Sequence, residues 1–313
     1  MSKSIELSVI VLVTEERYDD ITHLFYEYKR GISGTGMSYE IIYVLDGEFT
    51  SFRETLQSLR EKGEKIMIIQ LAKHFGTTTA LNVGFEHSKG DIILTLPAYQ
   101  QTETKEIPRL IEALKEYDMV FARRWPREDS LFNRMQATLF NWLLRHISDL
   151  PIYDAGSNVR AFRRKVINEI HIYGDQHRFL PVLAHQRGFK VRELNVAQAK
   201  MDVFPRVYSP RTYAYHLLDI LAIFFLLKFT KRPLRFFGPL GAFGFSVGFL
   251  ITLYIVGERI FGDIALTNRP ALLLSSLLMV LGIQVLAIGL IGEIIIFTHA
   301  KDLKEYTIAQ IIN

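Results

Sequence analysis

Short apolar segments rich in β-branched residues alternate with amphipathic segments along the first two-thirds of the chain. The apolar segments include LSVIVLV, YEIIYVLD, KIMIIQL, DIILTL and DMVFAR, and the segments between them have apolar positions near a 3.6-residue spacing. This alternation predicts an α/β domain whose mainly parallel sheet is covered by helices on both faces. Ligands bind such sheets beyond the carboxyl ends of the strands, so candidate chemistry is expected there.

A second group of elements follows the fifth predicted strand. The pattern predicts a long helix over residues 130–147, a loop over residues 148–162, and then a further helix and a strand that ends near residue 196. These elements would complete the α/β domain.

The last third of the chain contains two uncharged runs, residues 236–256 and 271–292. Each approaches the ~20 residues that cross a bilayer as a helix, so the runs predict two transmembrane helices. Buried core helices are the alternative, but neither run has a polar face to turn toward water. Residues 213–229 are apolar but include a histidine, an aspartate and a lysine. They predict a helix lying in the membrane interface, with a third span as the alternative.

Basic residues flank the two runs on their outer sides. Lys228, Lys231, Arg232 and Arg235 precede the first run, and Lys301 and Lys304 follow the second. Because basic residues favour the cytoplasmic side, both termini are expected in the cytoplasm, with the protein in the cytoplasmic membrane. The start of the chain lacks the pattern of a secretory signal. The predicted parts are a cytoplasmic domain (1–210), a juxtamembrane amphipathic segment (211–235), a two-helix membrane region (236–300) and a cytoplasmic tail (301–313).

The overall composition excludes several classes of function. The formal net charge is only +4, and the chain has no basic and aromatic motif of the kind that binds nucleic acid, so no nucleic-acid partner is expected. The chain contains no cysteine, so disulfides and thiolate metal sites are excluded. The modest positive charge suits a protein that meets an anionic membrane surface.

Several segments match one known family in their order along the chain. They are SVIVLVTEER, YVLDGEFT, LAKHFGTTTALNVGFEHSKGDIILT, RWPREDSLFNR, YDAGSNVRAFRRKV, RVYSPRTY and GLIGEIII. With them, the chain resembles the polyprenyl-phosphate glycosyltransferases of glycosyltransferase family 2, and the resemblance covers nearly its whole length. It implies a GT-A-like fold and an enzyme that transfers a sugar from a nucleotide sugar to polyprenyl phosphate at the membrane.

The resemblance and the chemistry of the side chains together indicate a nucleotide-sugar site. Its predicted residues are Glu16, Asp46, Lys73 and Arg124. Carboxylates at strand ends accept hydrogen bonds from the base and the ribose, and cations attract the diphosphate. The alternative for the two acids is that they are ordinary solvated loop residues.

A second set of residues is predicted to bind the lipid phosphate. It contains Arg127, Arg206, Arg211 and Tyr213, and guanidinium groups bind phosphate in bidentate fashion. Asp154 and Arg160 are the predicted catalytic residues. Because a phosphate nucleophile is already ionised, Asp154 is expected to orient other groups first and to accept a proton only second. A turn-forming role before Gly156 is its structural alternative.

One segment departs from the family pattern. Where the family has Asp-Ala-Asp-x-Gln-Asp, whose acids hold a divalent cation, this chain has Pro97, Tyr99 and Thr102 at the acidic positions. The resemblance implies Mg²⁺ or Mn²⁺, but the expected ligands are missing and no metal ligand is assigned. Two hypotheses remain. The first is a metal-independent transferase that uses Lys73, Arg123 or Arg124 instead.

The second hypothesis is a catalytically inactive protein of the same fold that binds lipid phosphate or partners an active transferase. Several residues that the family uses on the nucleotide-sugar side are replaced in this chain, by Leu12 and Leu45 among others. These replacements favour the second hypothesis. A transporter is disfavoured because two short spans with Glu293 as the only ionisable residue well inside them provide no polar pathway. Small residues in the first span, Gly241, Gly244 and Gly248, are expected to pack against the second span or against another protomer as a homo-oligomer.

Overall fold

The computed structural model describes residues 5–14, 20–127, 131–148, 150–170, 172–174, 176–202, 233–262 and 270–299, together with residues 218, 221 and 224. The chain divides into two compact units, the first within residues 1–220 and the second within residues 221–305. Each unit is described by itself.

Seven strands in the described part of the first unit form one sheet. They are β1 (Leu7–Val13), β2 (Tyr39–Leu45), β3 (Ile66–Gln70), β4 (Ile92–Pro97), β5 (Met119–Arg124), β6 (Arg160–Arg163) and β7 (Val191–Val196), in the order β3-β2-β1-β4-β6-β5-β7. All pairings are parallel except those of β6, which runs antiparallel to both β4 and β5. The carboxyl ends of the six parallel strands therefore all lie at the same end of the sheet.

Helices cover both faces of this sheet. They are α1 (Ile21–Ser33), α2 (Thr50–Glu61), α3 (Thr77–His87), α4 (Ile107–Ala113), α5 (Leu131–Ser148), α6 (Arg164–Glu169) and α7 (Leu180–Gln186). One hydrophobic core packs α1, α2 and α4 against one face, and a second core packs α3, α6 and α7 against the other. Every residue of β1 is buried, as expected for a central strand with both faces covered. The predicted α/β fold with a mainly parallel sheet is confirmed.

The predicted loop over residues 148–162 was wrong at its end, because β6 begins at Arg160. This strand has four residues and has arginine at both ends, so no period-two pattern of apolar residues marks it. Its position depends on the surrounding sheet: β6 fills the gap between β4 and β5 and bonds to both. Neighbouring strands thus decide the conformation that local sequence leaves open.

The second unit contains two long apolar helices, Leu234–Gly262 and Pro270–His299. Their most apolar windows have mean hydropathies of 1.9 and 2.4, and only 17% and 11% of those windows are buried. Helices this apolar and this exposed are unlike the core helices of a soluble domain, and their length suffices to cross a bilayer. The predicted interfacial helix over residues 213–229 falls almost wholly outside the described residues, which include only 218, 221 and 224 there, all helical.

Glycines bring the two long helices into close contact. A Cβ atom at Gly282 would lie 2.4 Å from the backbone nitrogen of Phe245, and one at Gly248 would lie 2.5 Å from the carbonyl oxygen of Ser275. The hydroxyl groups of Thr252 and Ser275 are 2.9 Å apart. Small residues allow such close backbone approach in a bilayer, where van der Waals contact drives helix pairing. Gly248 therefore packs against the second long helix of the same chain.

We predict that Gly282→Val separates the two helices, because its side chain would collide with the backbone at Phe245. Gly257→Val is the matched control, since a Cβ at Gly257 meets nothing within 4 Å. The chain lacks cysteine, so Thr252→Cys with Ser275→Cys provides a specific crosslinking pair. Crosslinking should fall severalfold in Gly282→Val and stay unchanged in Gly257→Val. Equal crosslinking in both variants would show that the glycine contact does not hold the pair together.

Candidate active site

A buried ion cluster lies at the carboxyl end of β5. The Arg124 guanidinium donates from Nε and Nη2 to the two carboxylate oxygens of Asp154, both at 2.8 Å, and from Nη1 to Oδ2 of Asp202 at 3.1 Å. All three residues are buried. Charges removed from water are stable only when they are paired and hydrogen-bonded, and this cluster meets both conditions.

The loop that carries Asp154 is held by its neighbours. The Glu193 carboxylate on β7 accepts hydrogen bonds from the backbone N–H groups of Tyr153 and Asp154, at 2.9 and 2.8 Å. Asn141 on α5 donates to the Tyr153 carbonyl at 2.6 Å and accepts from the Ala155 N–H at 3.2 Å. The Asp154 carboxylate is therefore fixed by contacts from both α5 and β7.

The electrostatics of the cluster keep Asp154 ionised. Burial alone would raise the pKa of its carboxyl group, but the charge and hydrogen bonds of Arg124, with the charge of Arg127, hold that pKa below its ordinary value. The same partnership keeps the pKa of Arg124 above its ordinary value despite burial. A carboxylate that binds its proton so weakly is a poor general base, so the geometry favours an orienting role for Asp154.

A cavity of about 330 Å³ opens beside this cluster. Its lining includes four arginines, Arg123, Arg124, Arg127 and Arg145. Asp154 is the only carboxylate among the described lining residues, and it is already bonded to Arg124. The cavity is thus positively charged and suits an anionic group such as a phosphate.

Two of the cavity arginines stack on aromatic rings. The guanidinium carbon of Arg123 lies 4.7 Å from the ring centroid of Trp125 and 4.3 Å from that of Tyr153, and Arg145 lies 4.5 Å from the Tyr153 centroid. Such contacts hold a guanidinium group in place without neutralising its charge. Arg127 approaches from another side, with Nη1 3.7 Å from Oδ1 of Asp154.

Arg160, on β6, lies beneath the same loop. It is buried and donates from Nε to the Ser157 carbonyl at 3.1 Å and from Nη1 to the His177 carbonyl. Burial, together with the charge of Arg178, lowers the pKa of Arg160 to about 10. Its guanidinium group thus holds two backbone carbonyl oxygens.

Asp46 follows β2 and organises a loop. Its carboxylate accepts hydrogen bonds from the N–H groups of Phe75 at 2.7 Å and Gly76 at 2.9 Å, and Nδ1 of His74 lies 2.8 Å from Oδ2. Gly76 adopts a φ of +100°, which favours glycine. Asp46 thereby shapes the loop that presents exposed Lys73, whose Nζ lies 5.2 Å from the Phe75 ring centroid.

The residues after β4 do not fit a divalent cation. The carbonyl oxygens of Pro97 and Tyr99 both accept hydrogen bonds from the Tyr28 hydroxyl, at 2.8 and 2.9 Å. Within the part of the chain that the structure describes, no three His, Asp or Glu side chains are grouped as ligands. Mg²⁺ and Mn²⁺ prefer sites with carboxylate oxygens, which this segment does not supply.

Comparison with known proteins assigns the family. The model of glycosyl transferase family 2 matches residues 8–171, which run from β1 to the end of α6. The chain belongs to glycosyl transferase family 2. The sequence resemblance to the polyprenyl-phosphate members of this family is confirmed by two relatives.

The first relative is an undecaprenyl-phosphate 4-deoxy-4-formamido-L-arabinose transferase of Pectobacterium carotovorum, 30% identical over 89% of this chain and 85% of the relative. The second, a dodecaprenyl-phosphate galacturonate synthase of Rhizobium johnstonii, is 27% identical over 99% of this chain and 94% of the relative.

Among solved structures, glucosyl-3-phosphoglycerate synthase of Mycobacterium tuberculosis, crystallised with Mn²⁺, UDP and phosphoglyceric acid, superposes with a TM-score of 0.52 at 13% identity. The match covers 71% of this chain and 78% of that one. At this identity the match supports the GT-A-like fold alone.

The family 2 fold brings some of the predicted residues together and separates others. Arg124, Arg127 and Asp154 meet at the end of β5, with Arg160 beneath them. Asp46 and Lys73 lie at the ends of β2 and β3, and β2 is four strand spacings from β5, or ~19 Å across the sheet. Four predicted site residues lie outside the described residues: Glu16, Arg206, Arg211 and Tyr213.

Sequence reasoning missed several members of the site. They are Asn141, Arg145, Ser157, Glu193 and Asp202. Asp202 lies in a short 3₁₀ turn without periodic pattern, and Glu193 looks like an ordinary polar residue of a strand. The helical spacing of Asn141 and Arg145, which are four residues apart and so share one face, was a signal that could have found that pair.

We predict that Arg124→Gln destabilises the protein by about 3–5 kcal/mol at neutral pH, because the buried carboxylates of Asp154 and Asp202 would lose the guanidinium group that they share. Arg123→Gln is the control, since Arg123 forms no ion pair with any described residue and should cost about 1 kcal/mol. Urea unfolding followed by circular dichroism measures both changes.

The destabilisation caused by Arg124→Gln should depend on pH, because it depends on the charge of Asp154. In the native protein the lowered pKa of Asp154 contributes stability above about pH 4, and that stability is lost as the pH falls through the folded-state pKa. In Arg124→Gln, burial would raise the pKa of Asp154. The difference in free energy of unfolding between the native protein and this variant, its stability deficit, should therefore shrink as the pH falls and the carboxyl group takes up a proton. A deficit that stays constant between pH 7 and pH 4.5 would contradict the assignment.

Proposed function

We propose that this family 2 member is a membrane-bound enzyme that transfers a sugar from a nucleotide sugar to a polyprenyl phosphate. The observation that carries the proposal is the arginine-lined cavity beside Asp154, which suits the phosphate of the acceptor. Two relatives that match most of the chain are named for transfer to undecaprenyl and dodecaprenyl phosphate. The two long apolar helices would keep the enzyme beside such a lipid.

In the proposed reaction a phosphate oxygen of the lipid attacks the anomeric carbon of the sugar. The bond between that carbon and the diphosphate oxygen breaks, and the nucleoside diphosphate leaves with the bonding electrons. The acceptor phosphate is already ionised, so no base is needed. The protein must instead bring two anionic substrates together, and the arginines of the cavity provide the positive charge for this.

Asp154 acts in this proposal as a positioning residue. Its bidentate ion pair fixes the plane of the Arg124 guanidinium, which Asp202 holds from the other side. Arg127 then reaches the acceptor phosphate, together with Arg206, Arg211 and Tyr213 as the sequence predicts. Arg160 positions the backbone of the Asp154 loop through the Ser157 carbonyl.

Nucleotide binding is proposed for the carboxyl ends of β1 to β3. Asp46 holds the loop there. We propose that Lys73 faces the diphosphate from this loop and that Glu16, which follows β1 in the sequence, contributes a carboxylate. The sugar would then lie between this loop and the cavity at the end of β5.

We further propose that the transfer needs no divalent cation. The solved relative was crystallised with Mn²⁺, but here Pro97, Tyr99 and Thr102 offer no carboxylate for one. Lys73, which the proposal places against the diphosphate, can stabilise the departing group in its place, because Lys73 forms no ion pair within the described residues. A fixed cation supplies the electrostatic stabilisation that a metal ion would otherwise give.

The proposed topology follows the basic flanks of the apolar runs. Residues 1–210 form the cytoplasmic catalytic domain, residues 211–235 a segment at the membrane surface, residues 236–300 the two spans, and residues 301–313 a cytoplasmic tail. Both termini would lie in the cytoplasm, where nucleotide sugars are available to the enzyme.

We predict that the purified protein forms a glycolipid from polyprenyl phosphate and at least one nucleotide sugar, and that a chelator changes the rate less than twofold. A panel of nucleotide sugars assayed with and without chelator measures this. Turnover that stops with chelator and returns with Mn²⁺ would refute the metal-independent mechanism. No turnover with any donor, together with no nucleotide binding, would favour the inactive lipid-phosphate binder.

Ser157 gives a second test of the site. Its buried hydroxyl oxygen has no hydrogen-bond partner among the described residues, and its N–H donates to the Asp154 carbonyl at 3.2 Å. We predict that Ser157→Ala leaves the free energy of unfolding unchanged or slightly higher, because no hydrogen bond of its hydroxyl is lost.

The matched control for this test is Ser148→Ala, which removes a buried hydroxyl that donates to the Leu144 carbonyl at 2.7 Å. It should lower the free energy of unfolding by about 1 kcal/mol. Urea unfolding of both variants measures the difference. An equal loss in Ser157→Ala would show that its hydroxyl is hydrogen-bonded in the folded protein.

A further inference from the structure

The distribution of tryptophan along the chain is uneven. The whole chain contains two tryptophans, Trp125 and Trp142, and neither belongs to the two long apolar helices. Their side chains are 54% and 50% exposed, and Tyr153 beside them is 45% exposed. Large aromatic side chains left half in water indicate a surface that is covered by something else in the working protein.

Contacts join Trp125, Tyr153 and the two arginines, and helix spacing places Trp142 beside them. The Arg123 guanidinium lies against the rings of both Trp125 and Tyr153. The Arg145 guanidinium also lies against the Tyr153 ring. Trp142 precedes Arg145 by three residues on α5, which makes the two neighbours on the helix surface. We call these five residues the Trp–Arg surface: Arg123, Trp125, Trp142, Arg145 and Tyr153.

The charge of this surface identifies its partner. Neither Arg123 nor Arg145 forms an ion pair within the described part of the chain, and Glu193 acts on Arg123 only at longer range, so both arginines can attract an anion. Indole and phenol rings place an apolar body in lipid and a polar group in water, which is why they concentrate at bilayer interfaces. Guanidinium groups next to them are attracted by anionic headgroups. The position of these groups at the mouth of a cavity that suits a phosphate favours an anionic lipid surface as the partner.

We propose that the Trp–Arg surface docks onto the headgroup region of an anionic lipid bilayer. Docking there would open the neighbouring cavity, which Arg123, Trp125, Arg145 and Tyr153 also line, directly toward the lipids. A lipid phosphate could then enter the cavity without leaving the bilayer surface. The inference rests on the membrane-bound function proposed above, but its test requires no turnover.

Intrinsic fluorescence tests the proposal because the two tryptophans report this surface alone. The full-length chain is reconstituted into vesicles of phosphatidylcholine and phosphatidylglycerol that contain lipids brominated near the headgroup end of the acyl chains. Trp142→Phe leaves Trp125 as the reporter, and Trp125→Phe leaves Trp142. We expect each reporter to be quenched at least twofold more than a reference tryptophan on a remote surface.

The reference variant replaces both native tryptophans by phenylalanine and adds Met67→Trp. Met67 is exposed on β3, at the sheet edge five strand spacings from β5, or ~24 Å away. If either native tryptophan is quenched no more than this reference, the proposal is overturned. Replacing phosphatidylglycerol by phosphatidylcholine, or Arg145 by glutamine, should lower the docking equilibrium about fivefold or more.

The same vesicles separate this inference from the proposed function. Glycolipid formation without tryptophan quenching would overturn the docking surface and leave the transferase function intact. Quenching without glycolipid formation would support the docking surface and count against the transferase function.

Discussion

The buried guanidinium group of Arg124 is the interaction on which the site depends. It joins three parts of the chain that are distant in sequence: the end of β5, the loop after α5, and the turn at Asp202. Two carboxylates could not be buried side by side without this cation, and the cation could not be buried without them. The cluster therefore sets where the Asp154 loop lies and how the cavity beside it is shaped.

The surrounding residues convert this buried cluster into a charged recognition site. Glu193 and Asn141 hold the Asp154 loop through its backbone, so the carboxylate has no freedom to turn away from Arg124. Arg123 and Arg145 are held differently, by aromatic rings that leave their charges unneutralised. The buried arginine thus gives rigidity, and the stacked arginines give the attraction for anions.

Much of the fold could be predicted from the sequence, because apolar periodicity marks the parallel strands and the helices directly. Arg124, Arg127 and Asp154 could be found because the resemblance places them in matched segments. β6 and Asp202 could not, since a four-residue strand and a single 3₁₀ turn have too few residues for a period. The role of Glu193 depends on contacts with a loop 39 residues away, which no local pattern encodes.

Gln101 shows what the segment after β4 does in this protein. Its side-chain oxygen accepts from the Asn158 N–H at 2.9 Å and its carbonyl accepts from the Ala199 N–H at 3.2 Å, while Thr102 pairs with Gln198. Through these hydrogen bonds the segment joins the two loops that carry Asp154 and Asp202. The position of the Asp154 loop relative to the Asp202 turn is therefore set by hydrogen bonds from this segment, in addition to the ion pairs of Arg124.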